Sequence, residues 1–420
     1  MKRLHSKPLA QSLKRFGSIS FFSVAFALQA NAAVLDIEAS FAPDSSQPQK
    51  NVFINQTPSG GFCRQVPSAC EPRGLFSLIA PIAFAANAPI LANHADPRQG
   101  GMAKVPSEWR TVRVTHESGD SKELSIRIAG IGHEAGLPRA IGELTNGGWW
   151  DNLWEGGAWV YAPAPCGGVG ISTAGHHGYN SFWMVPVGAG VCSKKALFEI
   201  PLAFRYQYFV FAYELRTPDP LNMLGGKYTG TVAYTVGPHQ DFDMGDVMIP
   251  DDNQLILNFS LDVRHTLKVD IPPGGDRVEL VPAGGWQSWL TQGRKPTRLF
   301  RDQTFNISSS SRFKMQLQCE ITGLFDCMIR DPVSQRAAVV QLSVSLPNGL
   351  TDIFGQPVTR RPLHVGQVNA QQFKPGFYVD RAPGTLHFEV APYYVDYMIK
   401  AGEASKFRGN ITVIWDSEVG

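Results

Sequence analysis

Catalytic signatures are missing from this 420-residue chain. It holds no GxSxG nucleophile elbow, no P-loop, no GxGxxG dinucleotide fingerprint and no HExxH zinc motif. His133-Glu134 begins the last of these, but Leu137 stands where the second His belongs. A site assembled by folding from the ten His and 36 acidic residues stays open, as unrelated triads are, yet nothing in the pattern raises it. No cysteine pair forms CxxC beside a second CxxC, which disfavours zinc. Charge is sparse, 18% of residues, with no large excess of one sign, so nucleic acid is not an expected partner. Long helical periodicity and internal repeats are absent too.

Residues 1–33 read as a leader. Lys2, Arg3, Lys7, Lys14 and Arg15 precede the apolar run Phe16–Leu28, and Ala30-Asn31-Ala32 offers small residues for cleavage. The run is short for a membrane span of roughly 20 residues, although a signal anchor is the alternative. Removal of residues 1–32 takes five positive and no negative charges, so the formal +2 becomes −3. Six cysteines suit an exported chain. Among the possible connectivities, nearest-neighbour pairing is the simplest: Cys63–Cys70, Cys166–Cys192 and Cys319–Cys327.

With 41 Gly and 30 Pro, the chain is rich in turn-formers, and an all-β fold follows. Trp109–His116 and Leu124–Ile131 alternate around a polar turn, the pattern of a hairpin. Ala196–Leu215 and Lys227–Val236 are two further strand regions. Gly74–Ala92 is nearly free of polar residues, but Pro81 and Pro89 interrupt it, favouring buried strands or a covered loop over membrane insertion. Asn253–Ile271 reads as strand, break, strand. We place a domain boundary there, giving two β-sandwich domains, 34–262 and 263–420, with Thr304–Cys319, Ala338–Leu346 and Leu386–Val390 as strands of the second.

Five of nine tryptophans fall between Trp149 and Trp183, amid Gly-Gly steps and short polar side chains. Aromatic faces stack on the apolar faces of sugars, and neighbouring Asp, Asn and His can bond hydroxyls. The competing possibility is that these rings are core. As ligand-binding candidates we name Trp149, Trp150, Asp151, Trp154, His177, Tyr179 and Arg216. No metal or other cofactor is expected, because adjacent His176 and His177 point apart on a strand and no acidic ligand stands near.

The end of the chain, Phe407 to Ser417, alternates as a strand with one buried face. Phe407, Gly409, Ile411, Val413 and Trp415 share that face. Little sequence follows to cover the neighbouring edge, and an open edge invites strand addition by another chain.

The order of these features resembles the tip adhesins of class 5 (alpha-type) chaperone–usher fimbriae. The resemblance rests on Phe62-Cys63…Ala69-Cys70, Cys166…Cys192, the Tyr228-Thr229-Gly230-Thr231 strand, Val340–Thr351 followed by Gly355-Gln356-Pro357-Val358, and Phe407–Val413. It implies an N-terminal adhesin domain and a C-terminal pilin domain with an incomplete immunoglobulin-like fold. The missing strand would come first from a periplasmic chaperone and then from an adjacent pilin subunit, at an outer-membrane usher. The protein would pass through the periplasm to the fimbrial tip and bind a host or surface glycan without being an enzyme. The family's clustered pocket arginines are reduced here to Arg216, and the Trp-rich stretch has no counterpart we can match. Alternatives are a non-binding assembly initiator, or a secreted β-rich glycan hydrolase using Asp151 and Glu155.

Overall fold

The computed structural model describes residues 32–400 and 403–417. Positions 1–31 of the expected leader lie outside the described residues, and Ala33 is already paired with Leu255. The described chain is almost entirely strand, turn and loop, with a few short helices. Its strands form separate sheets over separate cores, one set before Arg264 and one after Thr266.

The first set comprises β1 (Ala33–Phe41), β2 (Phe76–Ala80), β3 (Phe84–Ala86), β4 (Arg110–His116), β5 (Ser121–Gly136), β6 (Gly167–Ala174), β7 (Gly178–Met184), β8 (Arg205–Arg216), β9 (Gly226–Thr235), β10 (Met248–Pro250) and β11 (Gln254–Val263). These belong to one hydrogen-bonded sheet that curls over its own core, in the order β10-β3-β8-β5-β4-β9-β11-β1. Strand β5 makes the curl possible. Its first half pairs with β4, its second half with β7, and its other edge with β8 nearly throughout. The central residues Ile128–His133 are buried, since one face meets the main core and the other a small core of Phe62, Cys63, Cys70, Leu75 and Phe182. The Cys63–Cys70 disulfide staples two short helices over that outer face. Apolar Gly74–Ala92 supplies β2 and β3, with Ala80, Ile82, Phe84 and Ile90 buried. The Ala196–Leu215 region is shorter than expected: β8 begins at Arg205, after Pro201 and a left-handed Ala203 at φ 82° break the extended path.

The second set comprises β12 (Leu267–Asp270), β13 (Leu299–Ser309), β14 (Phe313–Cys319), β15 (Cys327–Arg330), β16 (Ala337–Ser345), β17 (Gln371–Pro375), β18 (Val379–Val390) and β19 (Ile411–Ser417). One sheet runs β12-β13-β18-β16-β15, and the facing sheet carries β17-β14-β19. Cys319–Cys327 ties the end of β14 to the start of β15 and so joins the two layers. All three nearest-neighbour disulfides are present.

Strand β12 is the edge of one sheet, and β19 the edge of the other. Trp415 of β19 meets Phe305 of β13, the neighbour of β12, with ring centroids 5.6 Å apart. The two open edges therefore flank the same side of the core. Phe313, Met315 and Leu317 of β14 are fully buried, whereas Leu267 and Val269 of β12 and Ile411, Val413 and Trp415 of β19 are only half-buried. Among the described residues β19 pairs with β14 alone.

The terminal strand is shorter than its alternation suggested. Phe407 and Gly409 precede it, where Arg408 exchanges two backbone hydrogen bonds with Arg330 of β15, at 3.0 and 2.9 Å. Gly409 fits because a Cβ there would sit 3.1 Å from the Met328 carbonyl. Those two residues belong to the crossing between layers, and the open edge is Ile411, Val413 and Trp415.

Phe305 also explains Gly384, its partner in β18. A Cβ on Gly384 would lie 2.4 Å from the Phe305 ring. Gly384→Ala should destabilise the second sandwich by roughly 1–3 kcal/mol, read as a lower denaturant midpoint. An unchanged midpoint would show that Phe305 has room to move.

Candidate ligand-binding face

Side chains in a strand alternate between faces, and β5 uses this to put two chemistries back to back. His133 points inward and Glu134 outward. The His133 ring lies 3.8 Å from Tyr206, 5.2 Å from Trp159 and 5.7 Å from Tyr179, centroid to centroid. Its Nε2 is 3.3 Å from the Tyr179 hydroxyl. Burial alone pushes the imidazole pKa down to about 3, and burial first, then the neighbouring Tyr206, pushes the Tyr179 phenol well up.

The Trp-rich segment completes this inner layer. A short helix, Trp150–Leu153, brings Trp150 to 4.6 Å from Tyr179, where its Nε1–H donates to the Gly175 carbonyl at 2.9 Å. Trp159 stacks on Trp183 at 4.4 Å, and Trp154 meets Trp159 edge-on at 5.1 Å. Lys194 is tucked beside them and donates to the Ala158 and Tyr161 carbonyls. Desolvation draws its pKa down to about 8, which nearby Asp151 partly opposes. Trp150, Trp154 and Tyr179 are thus buried together and cannot stack on an external ligand. The Gly-rich segment around Trp149–Trp159 has no strand or helix periodicity to separate core rings from surface rings.

The remaining candidates divide. Trp149 is 39% exposed, with His176 5.1 Å away edge-on, and His177 is exposed nearby. Asp151 is exposed but accepts a hydrogen bond from the Ala158 N–H, and Glu155 faces Lys195 at 3.6 Å. Arg216 lies elsewhere. It pairs with Ser125 near the start of β5, whereas Tyr179 pairs with Ala135 near its end, about 33 Å further along an extended strand. There its guanidinium covers the Trp109 ring at 3.9 Å, beside the Arg127–Glu214 ion pair. Among the described residues no group of three His, Cys, Asp or Glu side chains is placed to hold a metal ion.

What faces solvent above the aromatic layer is a polar row. Thr173 of β6 pairs with Asn180 of β7, and Asn180 with Glu134 of β5. On the far side of β5 a bulge in β8 between Tyr206 and Phe209 sets out Gln207 and Tyr208. Asn180 Nδ2 donates to Thr173 Oγ1 at 3.4 Å. The Tyr208 pKa rises to about 12, mainly through burial and then through a hydrogen bond to Glu134. Glu134, Thr173, His177, Asn180 and Gln207 line an open depression of about 400 Å³. Amide, carboxylate, hydroxyl and phenol groups in one row over a rigid backing are the chemistry that binds a polyol. Sequence reasoning missed this row, though the period-2 alternation of β5 and β7 points to Glu134 and Asn180.

No family model matches the chain, and no curated protein does. Solved structures similar along most of its length include three fimbrial chains. CfaE, the adhesive subunit of CFA/I fimbria of enterotoxigenic Escherichia coli, is 12% identical over 92% of this chain and 95% of its own, with a TM-score of 0.28. A chain of a chaperone–tip adhesin complex of CFA/I fimbriae is 11% identical over 92% and 97%, with a TM-score of 0.26. A chain of the CsuC–CsuE chaperone–tip adhesion subunit pre-assembly complex, from archaic chaperone-usher Csu pili of Acinetobacter baumannii, is 7% identical over 91% and 97%, with a TM-score of 0.20.

His133 makes the backing acid-sensitive. The unfolded chain takes up its proton near pH 6.5 and the folded chain only near 3, so this contribution is intact above about 6.5 and falls as pH drops towards 3. Stability should decline across that window, by up to about 1.4 kcal/mol per pH unit, read as a falling thermal midpoint. His133→Phe should flatten the decline, and an unaltered acid limb would assign it to other groups.

Proposed function

We propose that the chain is a non-enzymatic tip adhesin of a chaperone–usher fimbria, completed by a donor strand from another chain. The observation that carries this reading is the half-buried strand β19. Ile411, Val413 and Trp415 lie against the core but stay partly open, β19 is paired on one side only among the described residues, and the β12 edge across the core is equally under-covered. An alternating apolar strand laid between β12 and β19 would satisfy both edges at once. In this reading a periplasmic chaperone supplies that strand first and an adjacent pilin later, at the outer-membrane usher. The class 5 assignment rests on the sequence motifs alone.

Residues 33–263 then form the receptor-binding domain and 267–417 the pilin domain. The polar row, with His177 and Trp149 at its rim, is the glycan-binding face. A non-binding initiator would bury Trp150, Trp154 and Tyr179 just as well. The row of Thr173, Asn180, Glu134, Gln207 and Tyr208 favours a binding role, because it sets several polar groups at the surface over a packed backing.

Two experiments separate the parts of this proposal. Fusing a turn linker and an alternating apolar peptide after Gly420 should raise the thermal midpoint, since each newly buried large apolar side chain contributes roughly 1.5–3 kcal/mol. Equal stability with and without the peptide would remove the pilin assignment. On a glycan array, the wild-type chain should bind a defined set. The double variant Glu134→Gln, Asn180→Ala should lose about ten- to a hundred-fold in affinity while keeping its midpoint, the scale of one lost charged hydrogen bond. Unchanged binding by that variant would place the receptor site elsewhere.

A further inference from the structure

The two sandwiches meet at the three-residue connection between β11 and β12, and one side chain there touches both. His265 Nε2 is 3.0 Å from the Met223 carbonyl, in the loop between β8 and β9 of the first sandwich. Its Nδ1 is 3.3 Å from Ser310 Oγ, in the turn between β13 and β14 of the second. A carbonyl only accepts, so Nε2 carries the hydrogen and Nδ1 is the acceptor in the neutral ring. Ser310 Oγ already accepts from the Thr266 N–H at 2.9 Å, which leaves its own hydrogen for Nδ1. The ring also packs edge-on against Phe41, the last residue of β1, at 5.9 Å. Every polar atom of the neutral imidazole is matched.

We propose that His265 is a proton-operated catch between the two sandwiches: neutral, it ties Met223 to Ser310, and protonation frees it.

A proton on Nδ1 faces a hydroxyl whose hydrogen points at it. Ser310 would have to turn that hydrogen away, and the added charge would stay half-buried beside Phe41. The described carboxylates around the junction already have partners. Asp120, across the junction, is held by Lys122 at 3.1 Å and by the Tyr228 hydroxyl at 2.6 Å. Asp262 is held by Arg264 at 2.7 Å, and Asp219 by the Leu221 N–H and the Asn222 amide. Arg312 adds a positive charge, donating to Asn222 Oδ1 at 3.4 Å. The imidazole pKa is accordingly depressed, by burial first, against the opposing pull of the Met223 and Ser310 backbone groups. A depression of about 200 Å³ beside the ring, lined by Asp120, Lys122, Asn222 and Arg312, gives it somewhere wetter to go. With a folded pKa below the unfolded one, the link is complete above pH 6.5 and weakens as pH falls below it.

The test is amide exchange of the full chain from pH 7.5 to 4.5, corrected for intrinsic rates. Protection at Leu224, Thr266 and Ser310 should fall below pH 6.5, by up to about tenfold per unit. His265→Gln keeps an amide N–H for Met223 but does not titrate, and should give flat protection at these positions while retaining the acid response of His133. Unchanged protection in the wild type would overturn the proposal, as would an identical fall in His265→Gln. If that variant misfolds, the wild-type profile at the three amides, compared with β5, decides alone: a fall confined to the junction supports the catch, and a fall shared equally with β5 refutes it.

Discussion

A neutral imidazole buried among aromatic rings is the constraint on which the polar row depends. His133 touches Tyr206, Trp159 and Tyr179, and these in turn carry Trp150, Trp154 and Trp183. Because Glu134 is the next residue on the same strand, fixing His133 inward fixes Glu134 outward. The register of β5 with β7 and β8 then brings Asn180 and Tyr208 alongside it. The rigidity of the polar row is thus set from beneath. A position held by packed rings keeps its hydrogen-bonding groups in place better than a loop of the same composition would.

Much of the architecture was legible in the sequence, for a simple reason. Strands with one buried face print a period of two, as β4, β11 and the first part of β5 do. The break at Arg264–Thr266 was visible because the apolar alternation of Leu255–Leu261 stops and resumes at Leu267. Local cysteine spacing was enough for the disulfides. Boundaries were less clear where a local backbone feature overrode composition, as at left-handed Ala203 before β8 and at the layer crossing of Phe407–Gly409.

The candidate site was legible only as a region. Aromatic density and glycines drew attention to Trp149–Trp183, and that stretch does adjoin the polar depression. Whether an indole faces in or out was not encoded locally, because Trp150 is buried by Tyr179 and Gly175, more than two dozen residues away. Arg216 was separated from the cluster by strand length alone. Glu134 went unnoticed because it first appeared as half of a failed zinc motif.

The outermost strand beside the polar depression has a further consequence. In β6 almost every side chain is exposed, and Cβ positions such as Gly170 meet nothing. Its place is held by backbone pairing to β7 and by the Cys166–Cys192 bridge just before it. Substitutions at Ile171, Ser172 and Thr173 therefore leave the core untouched while changing what the depression presents. Substitution along this one strand can reshape what the depression presents at little cost to folding, so the chemistry of this surface is free to drift faster than the fold beneath it.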